Sequence, residues 1–218
     1  MICSAISQEV PISTPPQDKY LIRPGVDLLG PDRWSDVFGR PGPLTVEVGF
    51  GKDEFLLDLA ETNPDGLFLG IEFSRPRTRS YLNKIRFRGL TNVRVLLEHA
   101  ANAVGLCLGD GSVGELFVLF PDPWPKKKHA RNRLISPWFV READRVMIPG
   151  GRATMATDDV PYRDQILEVV EGHGSFRNLR GPGEYGPRPE GFDQTIFERR
   201  WVEQGRGIYY MQFVKEGA

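Results

Sequence analysis

The segment Phe120-Pro121-Asp122-Pro123-Trp124-Pro125 sets a carboxylate between two prolines, with an aromatic plane two residues further on. Proline fixes its own φ and restricts the residue before it, so Asp122 sits on a backbone with little freedom. A rigid acceptor beside a flat ring suits a purine, because guanine offers N1–H and N2–H donors along one edge. Directly after it, Lys126, Lys127, Lys128, Arg131 and Arg133 place five positive charges within eight residues, with His129 among them. The 218-residue chain carries 28 Lys+Arg against 29 Asp+Glu, a formal net charge of −1, so the cluster is a local feature and not the field of a basic protein. A basic run on a neutral chain is the footprint of phosphate groups, and binding through it weakens with salt as counterions are released.

A second constellation is Val46-Glu47-Val48-Gly49-Phe50-Gly51-Lys52, where glycines at alternate positions close an apolar run and let backbone N–H groups approach a ligand at a helix start. Glu72 lies 21 residues past Gly51, at the end of the next apolar run, where a carboxylate accepts the hydroxyls of an adenosine ribose. Together they read as a nucleoside site. A dinucleotide fingerprint would seat a pyrophosphate, but Glu47 stands two residues before the first glycine and would repel one. S-adenosylmethionine carries an ammonium and a sulfonium and no phosphate, which matches that charge. Asp53 occupies the position where such turns carry a third glycine; it can instead cap or charge-complement the helix start.

The elements that must hold these groups follow from the pattern of apolar residues. Residues 1–43 contain seven of the 18 prolines and show no sustained period, so they read as an irregular extension, with a short helix around Pro31–Phe38, ahead of one domain over 44–218. From Pro43 onward, strands at 44–49, 67–72, 92–97, 114–120 and 151–157 alternate with helices at 52–63, 75–88, 99–108, 137–147 and 160–172. Such alternation predicts crossover connections and a parallel sheet covered on both faces. The tail TIFERRWVEQGRGIYYMQFV reads as two more strands joined at Gln204–Gly207, an antiparallel hairpin. The expected fold is therefore α/β and Rossmann-like: a mostly parallel seven-stranded sheet with helices on both faces and a C-terminal hairpin, as in class I methyltransferases.

Two cysteines, Cys3 and Cys107, cannot build a disulfide framework, and no cysteine or histidine spacing offers a metal site. The start has no basic and apolar leader, and the longest Leu/Val/Phe run is five residues. The expectation is a cytoplasmic protein with no membrane segment and no metal, monomeric or homodimeric.

At this point the residues resemble the bacterial tRNA (guanine-N7-)-methyltransferases over about 32–214, through VEVGFGKDEFLLDLA, FLGIEFSRP, NVRVL, FPDPWPKKKHARNRL, PGGRATMATDDVPY and TIFERRWVEQGRGIYY. The FPDPWPKK stretch is the most specific of these. The resemblance implies S-adenosylmethionine as donor and N7 of a guanosine in the variable loop of tRNA as acceptor. It also implies that Glu47, Gly49, Gly51, Glu72 and His99 serve the cofactor, that Asp122 serves both cofactor and catalysis, and that Lys126, Lys128, His129, Arg131, Arg133, Asp158, Thr195 and Glu198 serve the RNA. Three positions depart from the family pattern: Asp53 at the third glycine, His99 where an acidic or amide residue commonly reads adenine, and Asn132 within the basic run.

Guanine N7 has an available lone pair, so its methylation needs no proton removed; the site must align N7 with the methyl carbon and place negative charge near the cationic purine that forms. Two rival readings stay open on the sequence: a methyltransferase of the same fold acting on an exocyclic amine, and a non-catalytic RNA-binding module with a degenerate cofactor pocket. A dinucleotide oxidoreductase is disfavoured by Glu47.

Overall fold

The structure, a computed structural model, describes residues 18–24 and 34–217. In chain order it contains β1 (Leu21–Ile22), α1 (Trp34–Phe38), β2 (Leu44–Val48), α2 (Phe55–Thr62), β3 (Leu67–Glu72), α3 (Arg75–Phe87), β4 (Val93–Leu97) and α4 (Ala100–Asn102), which continues as a π turn over Ala103–Cys107. There follow β5 (Val113–Leu119), a 3-10 turn (Lys127–Asn132), α5 (Pro137–Val146), β6 (Met147–Thr157), α6 (Val160–His173), β7 (Phe176–Asn178), α7 (Ile196–Glu203) and β8 (Tyr209–Lys215).

These form one sheet in the order β1-β4-β3-β2-β5-β6-β8-β7. All pairings from β1 to β6 are parallel, and β8 runs antiparallel to both β6 and β7. The chain reverses its direction of travel across the sheet between β2 and β5, and at such a switch point a crevice opens beyond the strands' carboxyl ends. Every residue of β3 is buried, as expected for a strand covered on both faces. One core, around Val46, Leu69, Phe139 and Tyr162, lies under α4 to α6; another, around Phe50, Leu56, Tyr81 and Val95, lies under α2 and α3.

Local signals set the helix ends. Ser136 caps α5 through a hydrogen bond from the Phe139 N–H, with Pro137 in the first turn. Asp159 caps α6 in the same way, accepting from Tyr162 N at 2.8 Å, and Gly174 ends that helix with φ 84°. Helix α2 is clamped to α3 by ion pairs from Glu54 to Lys84 and Arg88, and from Asp58 to Arg88.

Two expectations need correction. The sheet has eight strands, not seven, because the proline-rich lead-in contributes β1, whose two residues pair with Val95 and Leu96 at the edge. So short a strand leaves no periodicity to read. The segment 196–203, expected as the first arm of a hairpin, is instead the helix α7. Its β-branched and aromatic residues resemble a strand, but Thr195 Oγ1 accepts from Glu198 N at 3.0 Å and starts a helix. The C-terminal antiparallel pair is β7 with β8, joined by a long connection that includes α7.

Candidate functional site

The glycine turn follows β2 at the switch point. Gly49 and Gly51 have φ of 79° and 59°, values that a side chain at either position would strain. Behind the turn Glu72, 2% exposed, accepts from Gly51 N (3.2 Å) through Oε2 and from Ser74 N (2.9 Å) through Oε1, with Arg77 3.5 Å from Oε2. Glu72 thus shapes the turn while its carboxylate stays at the end of β3.

Glu47 is buried beneath the turn on the α2 side, and its Oε2 has no hydrogen-bond partner among the described residues. Burial, with a smaller push from the Asp53 carboxylate, raises its pKa from 4.5 to about 8; a hydrogen bond from the Leu56 backbone offsets this only in part. A buried carboxyl with one oxygen left without a partner is a place that a cation would satisfy.

Asp53 does more than stand in for a glycine. Its Oδ1 accepts from the N–H groups of Glu54 (2.8 Å) and Phe55 (3.3 Å) at the start of α2, and its Oδ2 accepts from Ile196 N (2.6 Å) at the start of α7. One carboxylate therefore ties the glycine turn to α7.

The proline-rich elbow leaves the carboxyl end of β5 beside this turn. Phe120 and Trp124 take positive φ, 53° and 45°. Bulky residues occupy that region only when their surroundings hold them there, at roughly 1–3 kcal/mol each. Three groups of contacts, made by Phe120, Trp124 and Arg133, supply the hold. Phe120 packs on Phe197 and Tyr210 with ring centroids 5.0 and 6.4 Å apart. Trp124 meets His129 edge-on at 5.8 Å. The Arg133 guanidinium donates to Pro123 O at 2.7 Å and to Gln165 Oε1 at 2.8 Å, and lies over the Tyr162 ring.

Asp122 and the glycine turn line one cleft of about 400 Å³, whose remaining wall includes Phe197 and Arg200 of α7. The structure thus brings Gly49, Gly51 and Asp122 together, with Glu47 and Glu72 behind the turn. His99 stands apart from the cleft wall, stacked on Phe73 with centroids 4.9 Å apart and planes 11° off parallel. Phe73, 60% exposed, directly follows the strand-end Glu72, so the sequence carries a local signal for an aromatic face at this position. Phe197 and Arg200 reach the cleft because residues 196–203 form the helix α7 and not the expected strand, and Arg77 reaches it from the first turns of α3.

The expected RNA-facing residues divide into two groups. Lys126, Lys128 and Arg131 are exposed and His129 half-buried, beside the elbow. Arg133 is turned inward, its side chain 8% exposed, in the contacts given above. Asp158 is held by Arg206 at 2.8 Å, and that guanidinium lies 3.8 Å over the Trp201 ring. Thr195 and Glu198 are buried: Thr195 caps α7, and Glu198 Oε2 accepts from the Tyr210 hydroxyl at 2.9 Å and from Arg188 at 3.3 Å. Both set the position of α7 over the cleft.

No three His, Cys, Asp or Glu side chains among the described residues are arranged to hold a metal ion, and no helix there is long and apolar enough to cross a membrane. The donor set fits the expected cofactor: a buried carboxyl with one unpartnered oxygen for an ammonium, a strand-end carboxylate for a ribose, and a glycine turn without a phosphate-seating third glycine.

Comparison with known proteins gives consistent matches. A family model described as "Putative methyltransferase" matches residues 41–211. The tRNA (guanine-N(7)-)-methyltransferase of Leifsonia xyli subsp. xyli is 41% identical over 190 residues, covering 87% of this chain and 84% of that protein. The enzyme of the same description from Alcanivorax borkumensis is 38% identical over 188 residues, covering 86% and 77%. Among solved structures, the 16S rRNA methyltransferase KamB superposes with a TM-score of 0.63 at 19% identity, over 87% of this chain and 96% of that one, a likeness of fold.

Proposed function

Because the chain belongs to the tRNA (guanine-N(7)-)-methyltransferase family, we propose that its cleft joins the methyl donor to a guanosine in the variable loop of tRNA, with Asp122 as the catalytic carboxylate. The protein is an S-adenosylmethionine-dependent enzyme that methylates N7 of guanine in tRNA.

The observation that carries the reading is that Asp122, on a strained elbow, shares a cleft with the glycine turn while exposed lysines and arginine follow on the elbow's outer side. When bound, S-adenosylmethionine supplies a methyl group activated by its sulfonium. The protein's part is placement and charge. Glu47 and Glu72 hold the cationic and ribose ends, the glycine turn sets how deep the ligand sits, and Phe73 with His99 offers aromatic surface beyond Glu72. Asp122 accepts from the guanine edge and offsets the positive charge that grows on the purine as N7 gains the methyl group. No residue has to take a proton from N7. Lys126, Lys128 and Arg131 take backbone phosphates, His129 braces Trp124, and Arg133 positions Asp122 by holding the Pro123 carbonyl. Asp158 reaches RNA only by exchanging its Arg206 partner.

Incubation of the purified protein with methyl-labelled S-adenosylmethionine and unmodified tRNA, followed by nuclease digestion, tests this. The expected product is 7-methylguanosine at one variable-loop position. Label at an exocyclic amine, or at no nucleotide, overturns the assignment.

A further inference from the structure

Helix α3 with its C-cap, Arg88, carries six basic residues between 75 and 88 and no acidic one. Four are neutralised inside the fold: Arg77 by Glu72 at 3.5 Å, Lys84 by Glu54 at 2.9 Å, Arg86 by Asp18, and Arg88 by Asp58 at 2.6 Å. Arg75 and Arg79, four apart and therefore on one face, have no acidic partner among the described residues and are exposed. They flank a pocket of about 340 Å³ whose floor is Leu21, Leu82 and Leu97. Among the described residues, the one acidic side chain lining this pocket, Asp18, is the partner of Arg86.

The location matters as much as the charge. Leu97 ends β4 and Arg75 follows the end of β3, so one end of the pocket lies at the same carboxyl rim as the cleft, while Leu82 and Arg86 extend it along α3. Across the sheet order, the elbow on β5 and the pocket beside β1 are four strand spacings apart, about 19 Å. The cofactor turn on β2 lies between them. The cleft is therefore flanked by cations on both sides: Lys126, Lys128 and Arg131 on one, Arg75 and Arg79 on the other.

We propose that the Arg75–Arg79 pocket is a second docking site for the RNA substrate, taking two phosphates of its backbone on the guanidinium groups with a ribose face against the leucine floor. Guanidinium forks suit phosphodiester oxygens, and an apolar floor suits the carbon face of a sugar better than it suits a free anion. A substrate held on both flanks presents its guanosine to the cleft between two fixed points, which limits its rotation about either one. The inference rests on the tRNA reading given above.

The test is the double variant Arg75→Gln/Arg79→Gln, assayed against wild type with unmodified tRNA over a salt series. Glutamine keeps helix propensity and removes only charge. The expected result is a KM for tRNA raised about tenfold, and a plot of log kcat/KM against log salt shallower by about 1.5, from two lost phosphate contacts. The kcat at saturating tRNA and the affinity for S-adenosylmethionine stay at wild-type values, and Arg75→Lys/Arg79→Lys recovers the slope. An unchanged KM and slope in the glutamine variant, with the wild type active, overturns the docking site. A wild type that makes no 7-methylguanosine overturns the parent reading instead. Should the double variant lose cofactor affinity, the single variant Arg79→Gln decides, with about half the change in slope expected and none overturning.

Discussion

Asp53 and Ile196, 143 positions apart in the chain, are joined by a 2.6 Å hydrogen bond from the Ile196 backbone N–H to Asp53 Oδ2. The other oxygen of the same carboxylate caps α2, so a departure from the family's glycine pattern is also the tie between the cofactor turn and α7. Asp53→Ala removes both contacts. We expect it to lower unfolding free energy by about 1–2 kcal/mol, as loss of a helix cap does, and to raise the KM for tRNA as α7 loosens; urea denaturation and steady-state kinetics read the two effects.

Glu47 makes a pH-dependent prediction. Its pKa in the folded protein is raised to about 8 from 4.5, so the folded state holds a proton there that the unfolded chain releases. Its contribution to stability is complete below about pH 4.5 and is lost as pH rises toward 8. Glu47→Gln carries no such loss, so the variant gains on wild type across that window, by on the order of 2–4 kcal/mol at pH 8. A cation bound at Glu47 expels the proton. Calorimetry of S-adenosylmethionine binding at pH 7 in two buffers of different ionisation enthalpy should show proton release for wild type and none for the glutamine variant.

Asp122 is tested by its charge alone. Asp122→Asn keeps size and one acceptor and removes the negative charge, so single-turnover methyl transfer is expected to slow about a hundredfold or more while the melting temperature stays within 2 or 3 °C, roughly the effect of a surface change. Wild-type transfer by this variant removes Asp122 from catalysis.

Arg131 and Arg133, two residues apart, should behave in opposite ways. Arg131 is exposed, so Arg131→Ala is expected to leave stability unchanged and to make the salt dependence of tRNA binding shallower by about 0.7–0.9. The Arg133 side chain is 8% exposed and holds the Pro123 carbonyl, so Arg133→Ala is expected to cost about 2–3 kcal/mol and to lower kcat, because buried acceptors lose a charged donor. Its salt slope should match wild type. Filter binding and thermal denaturation of the two variants make the comparison.

What the sequence made legible is explained by which signals are local. Strands such as Leu67–Glu72 are continuous apolar runs and helices such as α6 carry their caps beside them, so both are readable in a short window. The glycine turn and the elbow are equally local, and both appear on one cleft. The misread parts depend on distant partners. Ile196, Phe197, Trp201 and Val202 look like a strand until Thr195 is seen capping Glu198 and Asp53 is seen holding Ile196. Arg133 is indistinguishable from Arg131 in a basic run, and only Pro123, Gln165 and Tyr162, brought in by folding, turn it inward. Thr195 and Glu198 stood out as substrate contacts by resemblance, yet their side chains are engaged in holding α7.

The two left-handed residues of the elbow, Phe120 and Trp124, have a consequence for the order in which the molecule assembles. A free peptide of that sequence would relax to extended angles, so the shape exists only once Phe197, Tyr210 and Arg133 have arrived from three later parts of the chain. Competence for chemistry is thus a property of the assembled tertiary packing, which the elbow's own residues cannot supply in isolation.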